Sequence, residues 1–304
     1  MERITYNGWP NCLRLHNNEV ELIASTDVGP RILAFQYIGE DNLFYLTPED
    51  AGRTGGDQWR LYGGHRLWHA PENIPLTYHP DNVPVQYSGD GRRLILTQAM
   101  EPATGLVKEI EIIMPASGTS VQVYHRLINR GDAPSSLAPW GITMLAPGGL
   151  AIIPQEPFGE EDDFLLPART LVLWQYAQMN DPRWTWGNRF ILAQQDPACP
   201  KAQKIGVLNT QGWAAYALNG RVFIKRFGYR PDQSYPDMHC NNELYFNGRF
   251  LEIESLAPVF PIAPGGQVEH CEQWSLVRMQ LEKDEERIAG QLLPVIHVLP
   301  PFSR

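Results

Sequence analysis

The chain has 304 residues, of which 43% are hydrophobic and 19% charged, and 25 Lys and Arg against 34 Asp and Glu give a net charge of −9. This balance is typical of a globular protein with a hydrophobic core, and the negative charge argues against a nucleic-acid or anionic-membrane partner. No run of about 18 apolar residues is present, so no membrane-spanning helix is predicted.

The N-terminal sequence MERITYNGWPN has no basic start followed by an apolar stretch, so we predict no signal peptide. The four cysteines, at positions 12, 199, 240 and 271, have neither CxxC spacing nor the density of a disulfide scaffold. Both features lead us to expect reduced thiols and a cytoplasmic location.

Short segments rich in β-branched and aromatic residues recur along most of the chain, and several alternate apolar with polar residues. They are VELIAST (20–26), RILAFQYI (31–38), RRLILTQAM (92–100), LVKEIEIIM (106–114), TSVQVYHRLIN (119–129), RVFIKRF (221–227) and FLEIESL (250–256). Turn sequences such as SGDG (88–91) and APGG (146–149 and 263–266) separate them. Strands joined by such tight turns pair antiparallel.

A helical pattern is seen only near the end, in LEKDEERIAGQLL at 281–293. No fixed-period repeat and no linker-like change of composition interrupts the chain. We therefore predict one domain over 1–304 with its core at about 20–278. The predicted fold is an all-β antiparallel sandwich followed by a short C-terminal helix.

The stretch LYGGHRLWHAPE, 61–72, combines two histidines with other polar groups and is a candidate metal site. His65 and His69 are four residues apart, a spacing that on a helix brings both to one ion. The glycine pair before them and Pro71 leave little room for a helix. On a strand the two imidazoles share a face but lie about 13 Å apart, too far for one ion. We predict no metal here.

The same stretch also fits a sugar-binding wall. Trp68 offers a flat ring for the C–H face of a sugar, and Arg66, His65, His69 and Glu72 offer hydrogen-bonding groups for its hydroxyls. The glycine pair would let a ligand approach the backbone closely. A structural role for either histidine in the core is the alternative.

Two longer segments resemble a known family. ELYFNGRFLEIESLAPVFPIAPGGQVEHCEQWSL, 243–276, resembles the C-terminal strands of the galactose mutarotase-like proteins, in which a glutamate-bearing strand precedes a proline-containing turn, a PG pair and a final strand. YHRLINRGDAPSSLAPWGITMLAPGG, 124–149, is similar to their middle region. The likeness spans about residues 20–278 and is greatest to an uncharacterised branch grouped as a domain of unknown function. It implies a β-supersandwich (galactose mutarotase-like) with a sugar site on one open sheet face.

The resemblance also implies aldose 1-epimerase chemistry on a free sugar or sugar derivative. In that reaction a glutamate takes the proton of the anomeric hydroxyl and a histidine protonates the ring oxygen, so no cofactor is needed. The base position matches Glu254. Alternation in FLEIESL places Glu252 and Glu254 on one face with Phe250 and Leu256, and such apolar surroundings raise the pKa of a carboxyl toward neutrality.

The family's acid histidine lies on the strand that matches LAPWGITML, 137–145, where this chain has Trp140 and Gly141 and no histidine. A substitute acid would have to come from another strand. The candidates are His65, His69, His125 and His239.

The remaining candidates are predicted to bind substrate. Trp140 would be a platform for the sugar in place of the histidine, Lys225 in VFIKRF a contact for its hydroxyls, and His239 and Glu243 would contribute from a turn-rich loop and its end. The predicted partner is a small-molecule carbohydrate. A carbohydrate-binding protein without catalysis on the same scaffold is the alternative function.

Overall fold

The computed structural model describes residues 1–159, 161, 165–300 and 302. Two β-sheets, one of eleven strands and one of ten, face each other across a hydrophobic core. Neighbouring strands in both sheets pair antiparallel. The predicted all-β antiparallel sandwich with a short C-terminal helix is confirmed.

Strands are numbered along the chain. The first sheet contains, in spatial order, β1 (Glu2–Tyr6), β2 (Trp9–His16), β3 (Val20–Ser25), β4 (Arg31–Tyr37), β5 (His65–Ala70), β10 (Ser135–Leu145), β19 (Leu251–Leu256), β18 (Asn242–Phe246), β15 (Gln203–Val207) and β12 (Leu171–Leu173), with β20 (Phe260–Ile262) paired to β10. The second contains β13 (Trp184–Trp186), β14 (Phe190–Gln194), β11 (Leu150–Pro154), β16 (Trp213–Leu218), β17 (Arg221–Phe227), β21 (Gln267–Arg278), β9 (Ser120–Asn129), β8 (Leu106–Ile113), β7 (Arg93–Thr97) and β6 (Gln86–Gly89).

The helical elements found within the described residues are a 3₁₀ turn at Pro48–Asp50, one turn at Pro236–His239 and the C-terminal helix Glu285–Val298. The C-terminal helix begins four residues later than predicted and ends five residues later. Asp284 caps it by accepting a hydrogen bond from the backbone N–H of Arg287 at 2.9 Å. Its buried side chains join the apolar outer face of the second sheet. None of the helices within the described residues has the length and apolar character needed to cross a bilayer.

The core between the sheets follows from strand alternation, which sends every second side chain inward. Phe44 packs edge-to-face against Phe223 and Trp274, with ring centroids 5.5 and 5.6 Å apart. In β19, Leu251 and Ile253 belong to this core, as the alternation predicts. The other face of β19 is directed away from the second sheet.

A buried ion pair joins the two sheets directly behind β10 and β19. Lys225 Nζ lies 2.9 Å from a carboxylate oxygen of Glu272, and both side chains are fully buried. The same ammonium donates to the backbone carbonyls of Gly141 at 2.8 Å and Ile253 at 3.1 Å. Because these carbonyls belong to neighbouring strands, one cation from the second sheet holds β10 and β19 together.

We expect Lys225→Met to destabilise the protein by about 3–5 kcal/mol, because it leaves the Glu272 carboxylate buried without its cation. Urea unfolding followed by tryptophan fluorescence measures the loss. Lys283→Met, at an exposed position, is the control and is expected to stay within about 0.5 kcal/mol of the parent. Equal stability of the two variants would contradict this role for the ion pair.

Candidate functional site

A cleft of about 240 Å³ lies on the outer face of the first sheet, opposite the hydrophobic core. Strands β5, β10 and β19, which are neighbours, and β15, which lies beyond β18, supply its floor. The floor side chains are Arg66, Trp68, Trp140, Glu252, Glu254 and Lys204. Segments between the strands supply walls that include Trp59, Tyr78 and Tyr176.

Strand register brings these floor residues together. Ile142 of β10 pairs with Arg66 of β5 on one side and with Glu254 of β19 on the other. Glu254 in turn pairs with Glu243 of β18. Directly paired residues in antiparallel strands point to the same face, with Cβ atoms about 4.5–5.5 Å apart. The row from Arg66 to Glu243 therefore crosses four strands on the cleft side.

Glu254 is 1% exposed, and its two carboxylate oxygens have different surroundings. Oε2 accepts hydrogen bonds from Trp140 Nε1 at 2.9 Å and from Lys204 Nζ at 3.1 Å. Oε1 has no hydrogen-bond partner among the described residues. The carboxylate is thus held through one oxygen while the other is left to accept a proton or a hydrogen bond from a ligand.

Lys204 lies between two glutamates at the floor of the cleft. Its Nζ is 2.8 Å from Glu243 Oε2 and 3.1 Å from Glu254 Oε2. The ammonium also lies over the rings of Trp140 and Trp174, 4.8 and 4.7 Å from their centroids. Burial alone would lower the pKa of Lys204, but the two carboxylates outweigh it and raise that pKa well above its usual value.

Glu243 is fully buried beneath this ammonium. Burial raises the pKa of its carboxyl well above the usual value; Lys204 opposes that shift, and the nearby charges of Glu254 and Asp237 add to it. Asp237 lies in the turn 236–239, where three consecutive non-glycine residues have positive φ. The carboxylates of Glu243 and Glu254 therefore form a buried cluster around one ammonium, with the Asp237 carboxyl close by.

Arg66 and Trp68 form the opposite side of the cleft. Arg66 Nη1 donates to Glu252 Oε1 at 3.0 Å, and its guanidinium lies 4.5 Å from the Trp68 ring centroid. Trp68 packs against Trp140 and Tyr78, with ring centroids 5.6 and 4.8 Å away. The cleft therefore has a rigid aromatic side whose members brace one another.

Glu72, predicted to bind substrate, lies at the exposed rim of the cleft. It accepts a hydrogen bond from the hydroxyl of Tyr78. Trp140, predicted to be a platform, instead presents its indole N–H to Glu254. The structure thus gathers Arg66, Trp68 and Glu72 with Trp140 and Glu254 in one cleft, although Arg66 and Glu254 are 188 positions apart in the sequence.

His65 and His69 do not face this cleft. In β5 they alternate with Arg66 and Trp68, so they point into the sandwich. His65 Nε2 lies 2.6 Å from His125 Nε2, and its Nδ1 is 2.9 Å from Thr143 Oγ1. Burial lowers the pKa of His65 well below its usual value. The acid role predicted for the pair would need them on the other face of the strand.

Lys225 and His239 also lie outside the lining of the cleft. Lys225 is inside the sandwich, where it binds Glu272 and strand carbonyls as described above. His239 lies in the turn 236–239, and its Nδ1 accepts a hydrogen bond from the backbone N–H of Tyr235 at 3.3 Å. Glu243 supports the floor through Lys204 without lining the cleft itself.

The glycine pair serves the backbone, not a ligand. A Cβ at Gly63 would lie 2.3 Å from the carbonyl oxygen of Tyr45, and one at Gly64 would lie 2.3 Å from that of Ile32. Both glycines have positive φ, at 92° and 72°. The expected close approach is therefore that of neighbouring chain segments.

His65, His125 and Glu272 form the one group of metal-binding side chains found among the described residues, with donor atoms within 4.8 Å of one another. All three are buried between the sheets, and protein groups already satisfy them. The two imidazoles contact each other, and the Lys225 ammonium contacts the Glu272 carboxylate. A metal cation here would compete with that ammonium for the same oxygen.

Sequence reasoning missed Lys204 and the aromatic walls. In QKIGV, alternation does separate Lys204 from Ile205 and Val207, which enter the core. That pattern alone does not reveal that β15 pairs with β18. This pairing places β15 two strands from β19, which carries Glu252 and Glu254. Trp59, Tyr78 and Tyr176 come from connections whose course no periodicity predicts.

No protein-family profile and no curated protein sequence matches this chain. Its fold is nevertheless shared with solved structures. A galactose mutarotase-like protein from Lactobacillus casei ATCC 334 is 9% identical with a TM-score of 0.58, and the alignment covers 88% of this chain and 100% of that one. A candidate aldose 1-epimerase from Klebsiella pneumoniae subsp. pneumoniae is 12% identical with a TM-score of 0.60, covering 97% and 86%.

The Slr1438 protein from Synechocystis sp. PCC 6803 is also 12% identical, with a TM-score of 0.58 and coverage of 91% of this chain and 100% of that one. At this level of identity the likeness establishes the shared fold. The resemblance noted in the sequence therefore extends to the whole arrangement of the two sheets.

The buried imidazole of His69 should make the folded protein less stable at acid pH. Burial lowers its pKa to about 4, with Lys108 adding to the effect, and neither ring nitrogen has a hydrogen-bond partner in the described part of the chain. Because the unfolded chain binds a proton near pH 6.5 and the folded chain only near pH 4, stability should fall as the pH falls through this window. The size of the effect is roughly 3 kcal/mol.

His69→Leu should remove this part of the acid loss. We expect its unfolding free energy, measured in urea from pH 7 to pH 4, to fall less steeply than that of the parent. His16→Leu, an exposed histidine on β2, is the control and should keep the parent slope. A His69→Leu slope equal to the parent slope would contradict the burial of a neutral imidazole.

Proposed function

We propose that this chain, which has the fold of the galactose mutarotase-like proteins, binds a single sugar ring in the cleft above β10 and β19 and interconverts its anomers. The observation that carries this proposal is the Glu254 carboxylate, anchored through Oε2 and without a partner at Oε1 on the floor of an aromatic-walled cleft.

The cleft suits one sugar ring. Its volume of about 240 Å³ lies below the roughly 300 Å³ at which pockets for drug-sized ligands begin, so an oligosaccharide would not be enclosed. Trp68 and its neighbouring rings supply flat apolar surface for the C–H face of a pyranose. Arg66 lines the cleft beside Trp68, and its guanidinium carries five N–H groups, of which one is given to Glu252, so others can donate to a hydroxyl.

The charges of the cleft favour an uncharged sugar. Arg66 is already paired with Glu252, and Lys204 is paired with Glu243 and Glu254. Glu72 adds a further carboxylate at the rim. Since both cations are matched by carboxylates, a phosphorylated or carboxylated sugar would bring a negative charge into a cleft whose described lining residues include no free cation to receive it.

Anomer interconversion requires proton transfer only. Glu254 Oε1 accepts the proton of the anomeric hydroxyl, the bond between C1 and the ring oxygen breaks, and an open-chain aldehyde forms. Rotation about C1–C2 and closure on the other face give the second anomer. The ring oxygen must gain a proton as the ring opens and lose it as the ring closes.

A carbohydrate-binding protein without catalysis is the second candidate. It is favoured by one observation: the described residues that line the cleft include no histidine. This function would give sugar-dependent stabilisation of the fold without turnover. The two functions share the cleft and differ only in the proton transfer.

The test is anomer interconversion across a panel of neutral, amino and phosphorylated sugars, followed by polarimetry and by NMR of freshly dissolved α-anomers. We expect acceleration above buffer for a neutral sugar, and a loss of about 100-fold or more in Glu254→Gln, because the amide cannot accept the proton. Sugar affinity should change much less, since Trp68 and Arg66 remain.

Glu269→Gln is the matched control, because Glu269 is a glutamate on the exposed face of β21 that pairs with Arg126. It should keep the parent rate. Saturable sugar binding with no acceleration by the parent protein would favour the non-catalytic function. Full activity in Glu254→Gln would remove Glu254 as the base.

A further inference from the structure

The reaction proposed above still needs a general acid to protonate the ring oxygen. The residues that line the cleft limit which side chain can have this role. A proton donor must touch the substrate, so it has to line the cleft. His65 and His125 are excluded because they lie inside the sandwich, on the far side of the sheet. Arg66 lines the cleft, but a guanidinium keeps its proton at any ordinary pH.

Lys204 satisfies the geometric requirement. It lines the cleft, and its Nζ is in hydrogen-bonding distance of Glu254 Oε2, the oxygen that the base does not use for the substrate. An ammonium has three N–H groups. The ammonium donates to Glu254 and forms an ion pair with Glu243, so at least one N–H remains for a ligand above the Trp140 ring.

We propose that Lys204 is the general acid of this site and that it acts with Glu254 as one ion pair that both takes and gives the proton. This inference rests on the proposed anomer interconversion. It places the acid on β15, a strand that carries no histidine, and it uses an ammonium in the role that the family resemblance assigns to a histidine.

The step balances without any other reactant. Glu254 Oε1 takes the proton from the anomeric hydroxyl, the electron pair of that O–H bond forms the C1=O double bond, and the pair of the C1–ring-oxygen bond moves to the ring oxygen. That oxygen takes a proton from Lys204 Nζ. Ring closure reverses both transfers, so the protein ends in its starting state.

The contact between the two groups has a further consequence. After ring opening, Glu254 is protonated and Lys204 is neutral, and they remain hydrogen-bonded through Oε2 and Nζ. The pair therefore stays in contact in both protonation states, and ring closure returns each proton to the group that held it before. The Glu254–Lys204 ion pair thus takes a proton from the anomeric oxygen and supplies a proton to the ring oxygen.

Glu243 acts as a positioning residue for this pair. Its Oε2 holds Lys204 from below, in a cluster that also contains Glu254, Asp237 and Cys240. With carboxylates on two sides, the ammonium keeps its proton at neutral pH until a ring oxygen of rising basicity takes it. Activity should therefore stay level through the neutral and weakly alkaline range, where Lys204 keeps its proton.

The experiment compares Lys204→Met and Lys204→Arg with the parent protein, using the neutral sugar that the parent turns over fastest. Anomerisation rates are measured from pH 5 to pH 11, and sugar affinity is measured by calorimetry. We expect both variants to lose about 100-fold or more in rate, because methionine has no proton to give and arginine does not release its own. Affinity in Lys204→Arg should change by less than about fivefold, which distinguishes a lost proton transfer from a lost binding contact.

Lys108→Met is the matched control for removing a buried lysine. Lys108 pairs with Glu101 at 2.7 Å on the second sheet, away from the cleft, and both are buried. The Lys108→Met variant should be less stable than the parent, but its folded molecules should keep the parent activity. If Lys204→Met does not fold, Lys204→Met combined with Glu243→Gln removes one buried charge of each sign and keeps the cluster balanced.

The outcomes separate the two proposals. A parent protein that binds sugars but does not interconvert anomers removes the proposed reaction, and the role of Lys204 with it. An active parent whose Lys204→Met and Lys204→Arg variants stay within about threefold of its rate overturns the role of Lys204 alone. Activity that is kept in Lys204→Arg and lost in Lys204→Met would also overturn the role of Lys204 as acid. A positive charge without proton release would then be sufficient for the reaction.

Discussion

Antiparallel register across four strands is the constraint on which the site depends. Arg66, Ile142, Glu254 and Glu243 are successive cross-strand partners, so all four must point to one face of the first sheet. A shift of one residue in any of these strands would turn its side chains into the core. The cleft is therefore as firmly specified as the hydrophobic packing on the other side of the same strands.

The core on the inner side of the first sheet contains a polar cluster around Lys225. It lies opposite the cluster around Lys204 on the outer side. Inside the sandwich, Lys225 binds Glu272 and the carbonyl of Ile253; outside it, Lys204 binds Glu254, the next residue in the chain. Each ammonium is buried with a carboxylate, and removal of one partner would leave a costly unpaired charge. Strand β19 is thus fixed on both faces, which limits the positions that the Glu254 carboxylate can take.

Much of the fold could be predicted from the sequence, because it depends on local patterns. Alternation and turn residues indicate an antiparallel sandwich, and alternation in FLEIESL correctly places Glu252 and Glu254 opposite Leu251 and Ile253. The same rule, applied to HRLWHA, separates His65 and His69 from Arg66 and Trp68, so all four could not have formed one wall. The start of the C-terminal helix is fixed by the cap at Asp284, and the apolar pattern does not reveal this cap.

What could not be predicted depends on pairing between distant segments. Lys204 reaches Glu254 only because β15 lies beside β18 and β18 beside β19, an order that no local pattern contains. The roles of Gly63 and Gly64 likewise depend on which chain segments pass close to them. Family likeness pointed to Glu254, the proposed base, but the Lys204 ammonium beside it became visible only with the sheet assembled.

The most direct test of this account is a crystal structure of the protein with the bound sugar that it turns over or binds most tightly. We predict a single ring against Trp68, with its anomeric oxygen in hydrogen-bonding distance of Glu254 Oε1 and its ring oxygen near Lys204 Nζ. A sugar ordered instead in the larger cavity of about 500 Å³ beside Arg230 and Tyr235, with the Glu254 cleft empty, would contradict it.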